Sequence, residues 1–523
     1  MFLVFFFLFL IVVFSWVVGF GSKCVVSWGV LSNAGLDYSV SFVLDNISLI
    51  CSIMLFLCGI FSMVYCFHYL GDRGDFLFLI MFLFWMVMSI LVFSNSSLIT
   101  LVFWEYLGLV SFFLILFYCN GVSLRAALVT LFMSRLGDVS LFFLVGWLEN
   151  GFWGFMFWEF LFSVLLVVMT KSACYPFVSW LLEAMRAPTP VSALVHSSTL
   201  VAAGVWFSVR YSNFMYADVK DVLSFVALLT VFVSGVCAMV FSDLKKLVAL
   251  STCSNISWCL LFFVFGDWYF SLFQLLVHGV CKCYLFMSVG DLMSSSGGSQ
   301  ESFAVYVSRN SGSLEVVIRC FLVLSLCGFP YLGSFFCKHL LFSEWFYGFD
   351  LVTLILLVLG VLVSYAYSFR LVLLFISSMV GLSMGYVSIF VVLCMVSFFG
   401  SLLGYICVSL YSESVVTGVV ESFVVFLTQV FGGMLGCYLF FNPFNVAGIW
   451  LSELCGGDSL VHGISLGLNK ILSIYILSLY RWEFGVLSWM LFERSGVVGV
   501  LGISLNLLIL GIMYFVFIDN VFG

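Results

Sequence analysis

Eighteen consecutive residues, FLFLIMFLFWMVMSILVF from Phe76 to Phe93, carry no charge, and much of the chain reads the same way. A run of that size is about what a helix needs to cross the ~30 Å hydrocarbon core of a bilayer at about 1.5 Å per residue. Charged residues fill 8% of the 523 positions and hydrophobic ones 64%. A soluble domain carries about 25% charged residues, so this chain cannot cover a water-facing surface. Its solvent is lipid. Backbone in lipid must satisfy its own hydrogen bonds within helices or a closed barrel. Barrel strands would alternate polar and apolar residues, and these runs do not. The expected fold class is an all-α polytopic membrane protein. A net charge of −7 with no basic block argues against a nucleic-acid partner.

About 20 apolar residues per span gives about 15 transmembrane helices. They fall near 2–20, 47–68, 76–94, 97–118, 124–147, 157–185, 190–210, 222–242, 246–265, 269–293, 315–342, 351–375, 385–411, 419–441 and 497–518. The opening MFLVFFFLFLIVVFSWVVGF lacks a positive n-region and a small-residue cleavage site, and reads as a retained span. From Leu451 to Arg494 polar residues interrupt the apolar ones, as in LNKILSIYILSLYRW. That pattern predicts one long amphipathic helix lying laterally, before a terminal span. The 18 cysteines form no paired CxxC sets and read as free buried thiols. With 64 Phe and 5 Pro, the composition suits a biased, organellar genome. No phosphate loop, dinucleotide fingerprint, metal-site spacing or nucleophile triad is visible.

The prolines are informative because they are rare. Pro176, Pro188, Pro190 and Pro330 fall within or beside apolar runs and are expected to break helices, while Pro443 lies just past a span. Broken helices at membrane depth line hydrated cavities, and in transporters they recur in paired structural repeats. Lys171 lies five residues before Pro176 and Lys338 eight after Pro330. Two lysine-bearing breaks in separate halves therefore suggest a repeat.

Polar groups inside the spans weigh as follows. Glu105, mid-span with no partner on its own helix, reads as a protonatable group expected to interact with Lys171, directly or through water. Arg135 and Asp138, three apart on one face, read as a structural ion pair. Gln274, His278 and Lys282 recur every four residues and draw one polar stripe. A histidine four residues from a buried lysine suits proton relay. His196 has Ser192, Ser197, Ser198 and Thr199 as prospective hydroxyl partners. Asp243, Lys245 and Lys246 sit at a span boundary and read as a solvated loop.

The chain resembles subunit 5 of respiratory complex I, within the antiporter-like superfamily. The resemblance rests on FWEYLGLVSF, MSRLGDV, KSACYPFVSWLLEAMRAPTPVSALVHSSTLVAAG, SDLKKLVALSTCSN, HGVCKCYLF, CGFPYLGSFFCKH and SYAYSFRLVLL, in order from Phe103 to Leu374. It implies two inverted antiporter-like repeats with broken helices, a lateral helix and a terminal anchor. The corresponding division is 1–95, 96–242, 243–376, 377–444, 445–496 and 497–523. It further implies a proton path through Glu105, Lys171 and His196 in the first repeat and His278, Lys282 and the exit lysine Lys338 in the second. Departures from the family pattern are Gln274 in place of a histidine, His339 in place of an aspartate after the exit lysine, Ala187 in place of glycine, and one N-terminal span fewer. With His339, Lys338 lacks its adjacent carboxylate unless Glu344 or another chain supplies one.

The implied function is proton translocation, with no cofactor in this chain. NADH, FMN, iron–sulfur clusters and a quinone would act elsewhere in the complex. Implied partners are the other membrane subunits, above all the neighbouring antiporter-like subunit 4 contacted by the lateral helix, together with supernumerary subunits and lipids such as cardiolipin. The implied location is the mitochondrial inner membrane, or a bacterial plasma membrane. A stand-alone cation/proton antiporter and a static scaffold are the competing readings.

Overall fold

Among the described residues most long apolar runs become one helix, because in lipid a helix is the local way to satisfy every backbone group. The computed structural model describes residues 24–33, 36–71, 74–150, 157–265, 268–302, 304–308, 313–330, 332–339, 341, 351–377, 379–381, 419–442 and 454–491. The spans expected near 2–20, 385–411 and 497–518, and Glu344, lie outside these residues. Eleven helices among the described residues are long and apolar enough to cross a bilayer.

The first described element is an antiparallel hairpin, β1 (Cys24–Asn33) and β2 (Leu36–Leu44), with a register shift between Gly29 and Leu31. The sequence reading had only a loop here, although YSVSFVL alternates as a strand does. Asp45 then starts α1 (Asn46–Leu70): its side chain accepts from the Ser48 amide at 3.0 Å, while Ser48 Oγ accepts from the Asp45 amide at 2.9 Å. This is a reciprocal cap. Next come α2 (Gly74–Phe93), α3 (Ser97–Leu116) and α4 (Gly121–Asn150). Their outward faces show Phe76, Phe113 and Phe142 to lipid, while Trp104, Met133 and Leu144 face inward.

The first break follows. Helix α5 (Phe157–Lys171) stops, residues 172–178 are irregular, and α6 (Ser179–Ala184) resumes. Ala173 takes φ 53°, a left-handed conformation that costs roughly 1–2 kcal/mol for a residue with a Cβ. The Thr170 carbonyl freed by the break accepts from the Trp180 indole at 3.1 Å. Pro176 lies in the break as expected, but Pro188 and Pro190 do not break a helix. Pro188 is the N-cap of α7 (Thr189–Leu194) and Pro190 sits in its first turn, where a missing amide donor removes no helical bond. A π-helical turn, Val195–Thr199, leads into α8 (Leu200–Arg210).

Helices α9 (Ala217–Ala238), α10 (Leu244–Phe265) and α11 (Trp268–Ser295) are continuous. After the short strand β3 (Tyr306–Ser308) comes α12 (Ser313–Cys327), then a second break at 328–334 and a helical segment at 335–339. Gly328 takes φ +88° there, and a Cβ on it would come within 3.0 Å of Lys338 Cδ. The stranded carbonyls are taken up locally: Ser325 O accepts from the Ser334 amide at 3.1 Å and Leu326 O from Ser334 Oγ at 3.1 Å. Helix α13 (Leu351–Ile376) is tied to the end of α9 by Arg370, which donates to Ala238 O at 2.8 Å and Phe241 O at 3.0 Å. The short β4 (Met379–Gly381) pairs in parallel with β3, and α14 (Val419–Phe441) follows.

The chain divides into two compact units, Met1–His462 and Gly463–Gly523. Helix α15 (Gly457–Leu491) carries it from one into the other as a single helix of 35 residues. The expected long helix is present and shorter than the segment 451–494, whose two ends lie outside the described residues. Its lateral course is not fixed by composition, because residues Leu454–Trp482 also reach a mean hydropathy of 1.5, enough for a crossing.

Candidate functional site

Four charges form one chain across α3, α4 and α5. Glu105 on α3 pairs with Arg135 on α4, Arg135 Nη1 lies 3.6 Å from Asp138 Oδ2, and Asp138 Oδ1 lies 3.3 Å from Lys171 Nζ. In place of a direct Glu105–Lys171 ion pair, the lysine pairs with Asp138 and the glutamate with Arg135. Depth explains the pairing. Asp138 and Lys171 side chains are each 1% exposed, whereas Arg135 is 32% and Glu105 21% exposed. Pairing the two fully buried groups with each other leaves neither charge uncompensated. Asp138 therefore belongs to the lysine site as well as to the Arg135 pair.

Gly108 on α3 packs against this pair: a Cβ there would sit 3.7 Å from Asp138 Oδ2 and 3.9 Å from Lys171 Nζ, at ordinary contact distance. The Trp104 ring lies beneath the ammonium, 5.2 Å from centroid to Nζ, close enough for a cation–π contact. Lys171 and His196 line one narrow cleft with Ser111, Thr130, Ser134 and Thr170, of about 10 Å³, about the room one water molecule needs. His196 stands on the π-turn, a geometry frequent at functional sites. The hydroxyls expected to serve it donate instead to carbonyls of their own helix: Ser192 to Thr189 O at 2.8 Å, Ser198 to Leu194 O at 3.3 Å, Thr199 to Leu194 O at 3.0 Å, and Ser197 to Ala193 O. A ring–ring contact to Trp180 at 6.3 Å fixes the imidazole on one side.

The second half is built alike but charged differently. Lys338 donates to Cys327 O at 2.7 Å, so its ammonium caps the last turn of α12, where the helix dipole is negative. It stands over the Trp258 ring at 5.3 Å, as Lys171 stands over Trp104. Lys171 ends the helix before its break, and Lys338 lies after its own. Lys282 on α11 donates to Ser251 Oγ and to Val248 O at 3.3 Å. His278 and Gln274, one and two turns away, are fully buried, and their polar side-chain atoms have no hydrogen-bond partner in the protein. Among the described residues no carboxylate lies within ion-pair distance of Lys282 or Lys338, and His339 packs on the Phe335 ring at 5.6 Å.

Sequence reasoning missed Lys245. Asp243 and Lys246 do pair at the surface, at 3.1 Å, but Lys245 is 4% exposed and donates to the Ala187 carbonyl, just before the Pro188 turn. The signal was present: on α10 it shares a face with Val248 and Thr252, three and seven residues on, both fully buried. It also lies within electrostatic range of His196.

Lysine-bearing helix breaks, a buried row of titratable groups and many apolar helices define the class of antiporter-like membrane subunits. The family model described as NADH:quinone oxidoreductase/Mrp antiporter, TM, matches residues 94–365, just over half of the chain, which belongs to that family. Within it, the chain is similar to NADH-ubiquinone oxidoreductase chain 5 of Anopheles arabiensis, 34% identical over 333 residues that cover 60% of this chain and 86% of the relative. Chain 5 of Apis mellifera ligustica is 35% identical over 289 residues, 54% of this chain and 52% of the relative. The match to the Apis protein thus spans about half of its length. A chain in the Mrp complex from a Dietzia species shares the fold, with a TM-score of 0.73 over 92% of this chain and 58% of that one, at 20% identity.

Proposed function

We propose that this chain is a proton-translocating membrane subunit of a respiratory NADH:quinone oxidoreductase. The observation that carries this reading is the set of three buried ammonium groups, Lys245, Lys282 and Lys338, between 2% and 5% exposed and held only by neutral acceptors. A charge at the bilayer centre costs roughly 2.5–3.5 kcal/mol on insertion scales. A static scaffold would pair such charges with carboxylates. Groups held by carbonyls and hydroxyls give up a proton without stranding a partner. The route we propose runs from Glu105, through Lys171 and His196, to His278 and Lys282 and out by Lys338, joined by water in the Lys171–His196 cleft. Redox chemistry with NADH, FMN, iron–sulfur clusters and quinone would take place on other subunits.

In this reading the chain lies in the mitochondrial inner membrane. Helix α15, about 52 Å long at 1.5 Å per residue, straps a neighbouring antiporter-like subunit through apolar side chains such as Ile471, Ile474 and Trp482, each more than half exposed. A stand-alone cation/proton antiporter is the second reading, favoured by the fold shared with the Mrp chain. Native electrophoresis with flavin and iron detection separates them: migration with flavin and iron–sulfur proteins supports the first, and migration without them overturns it. Pumping is tested by Lys282→Met in the assembled complex, where unchanged protons per NADH would refute the route.

A further inference from the structure

A second polar cluster lies away from the route above, where the last turn of α1 meets the last turns of α11. His68 Nε2 stands 3.4 Å from Asp291 Oδ1, with side chains 18% and 17% exposed. Behind them the Tyr65 hydroxyl faces both Asp291 and Thr189; Tyr65 is 0% and Thr189 1% exposed. Gly290 makes room: a Cβ there would lie 3.0 Å from Thr189 Oγ1 and would overlap the Tyr65 hydroxyl. Thr189 opens α7, and two residues before it the Ala187 carbonyl accepts from Lys245. On the far side Arg319 is 4% exposed and gives one bond, Nη2 to Glu315 Oε2 at 3.0 Å. Its Nε and Nη1 have no partner in the protein, and Asp291 lies within its electrostatic range.

We propose that His68, Asp291, Tyr65 and Thr189 form a proton port that gives the Pro188 turn its own access to water. The inference rests on the proton-translocating reading above. Exposure falls from the partly exposed His68 and Asp291 to the buried hydroxyls of Tyr65 and Thr189, and every member both gives and takes a proton. The His68 imidazolium gives its proton to the Asp291 carboxylate and reloads from bulk water. The Asp291 acid donates to Tyr65 as Tyr65 donates to Thr189, whose proton passes to water at the turn; one proton enters and one leaves. Arg319, with two unused donors, holds the carboxylate when His68 is neutral. The other titratable groups facing this cluster are Tyr69 on α1, Tyr284 on α11, and Glu315 and Cys320 on α12.

A latch that merely pins α1 to α11 predicts altered stability without altered pH dependence. The test measures protons pumped per NADH against pH for the intact complex in sealed vesicles. Asp291→Asn should lower pumping several-fold and flatten its acid limb, while Asp291→Glu should keep the amplitude and shift the profile. A wild-type profile for Asp291→Asn overturns the port. If that variant fails to assemble, His68→Gln, which retains a donor toward Asp291, carries the test in the same way. Lys338→Met is the control: if it too pumps normally, the translocating reading itself fails, whereas loss there with normal pumping in Asp291→Asn removes the port alone.

Discussion

Asp138→Asn isolates the choice of partners at the first break. The carboxylate and the Lys171 ammonium are each 1% exposed and 3.3 Å apart. Removing one member of a buried pair leaves an uncompensated charge and costs about 3–5 kcal/mol, whereas removing both together is close to neutral. Asp138→Asn should therefore sharply destabilise the assembled chain, and Asp138→Asn with Lys171→Met should recover most of that loss. With each single change stranding a buried charge and the double change close to neutral, the double-mutant cycle should return a coupling above about 3 kcal/mol, beyond the usual range for residues in direct contact. Thermal inactivation of the complex, read as residual NADH–quinone turnover after graded heating, gives the stability ranking. Vesicle proton uptake gives function, which the double variant should not recover. If the double variant is as labile as Asp138→Asn, the pair is not the energetic unit described here. Glu105→Gln, which leaves the more exposed Arg135 near water, should destabilise less.

Lys171→Met alone should reduce proton pumping while its partner Asp138 is left to protonate, and normal pumping in an intact complex would remove Lys171 from the route. Lys245→Met should weaken pumping despite its distance along the chain from both breaks, because it frees the Ala187 carbonyl at the turn; wild-type uptake would make it a structural strut. His339→Asp should hold the Lys338 proton in place and slow its release, read as pumping rate against pH, and an unshifted profile would argue against Lys338 as the exit group. Gly328→Ala should lower assembly yield, since φ +88° disfavours a Cβ and that Cβ would crowd Lys338.

The spans and breaks were legible because they are one-dimensional properties: the apolar length of a run and the place of a rare proline. Which charge meets which was not. Arg135 and Asp138 share a helix face at three-residue spacing, and that much the sequence predicts. That Asp138 turns to Lys171 on α5 depends on how the two helices are rotated against each other, which has no local signature. Lys245 was hidden by its neighbours, since Asp243 and Lys246 form a surface pair on one side of the helix while Lys245 points to the other. The hairpin at 24–44 was lost because its alternation lies between two apolar runs that dominate any hydropathy window. Pro188 and Pro190 show that a proline beside a run is ambiguous until its place in the helix is known.

The charge arithmetic of the two breaks has a consequence for timing. At the first, Glu105, Arg135, Asp138 and Lys171 sum to zero, so a proton moves there only when an ion pair changes hands, and the site acts as a latch with two settings. In the second half, Lys282 and Lys338 have no carboxylate within ion-pair distance among the described residues, so neither ammonium has a counter-charge to hold its proton. Such a group fills reluctantly and empties readily, like a compressed spring. On the proposed route, a proton released at the first site would pass to groups that no carboxylate holds and would leave by Lys338. Direction would then follow from the uneven distribution of carboxylates between two otherwise matching breaks.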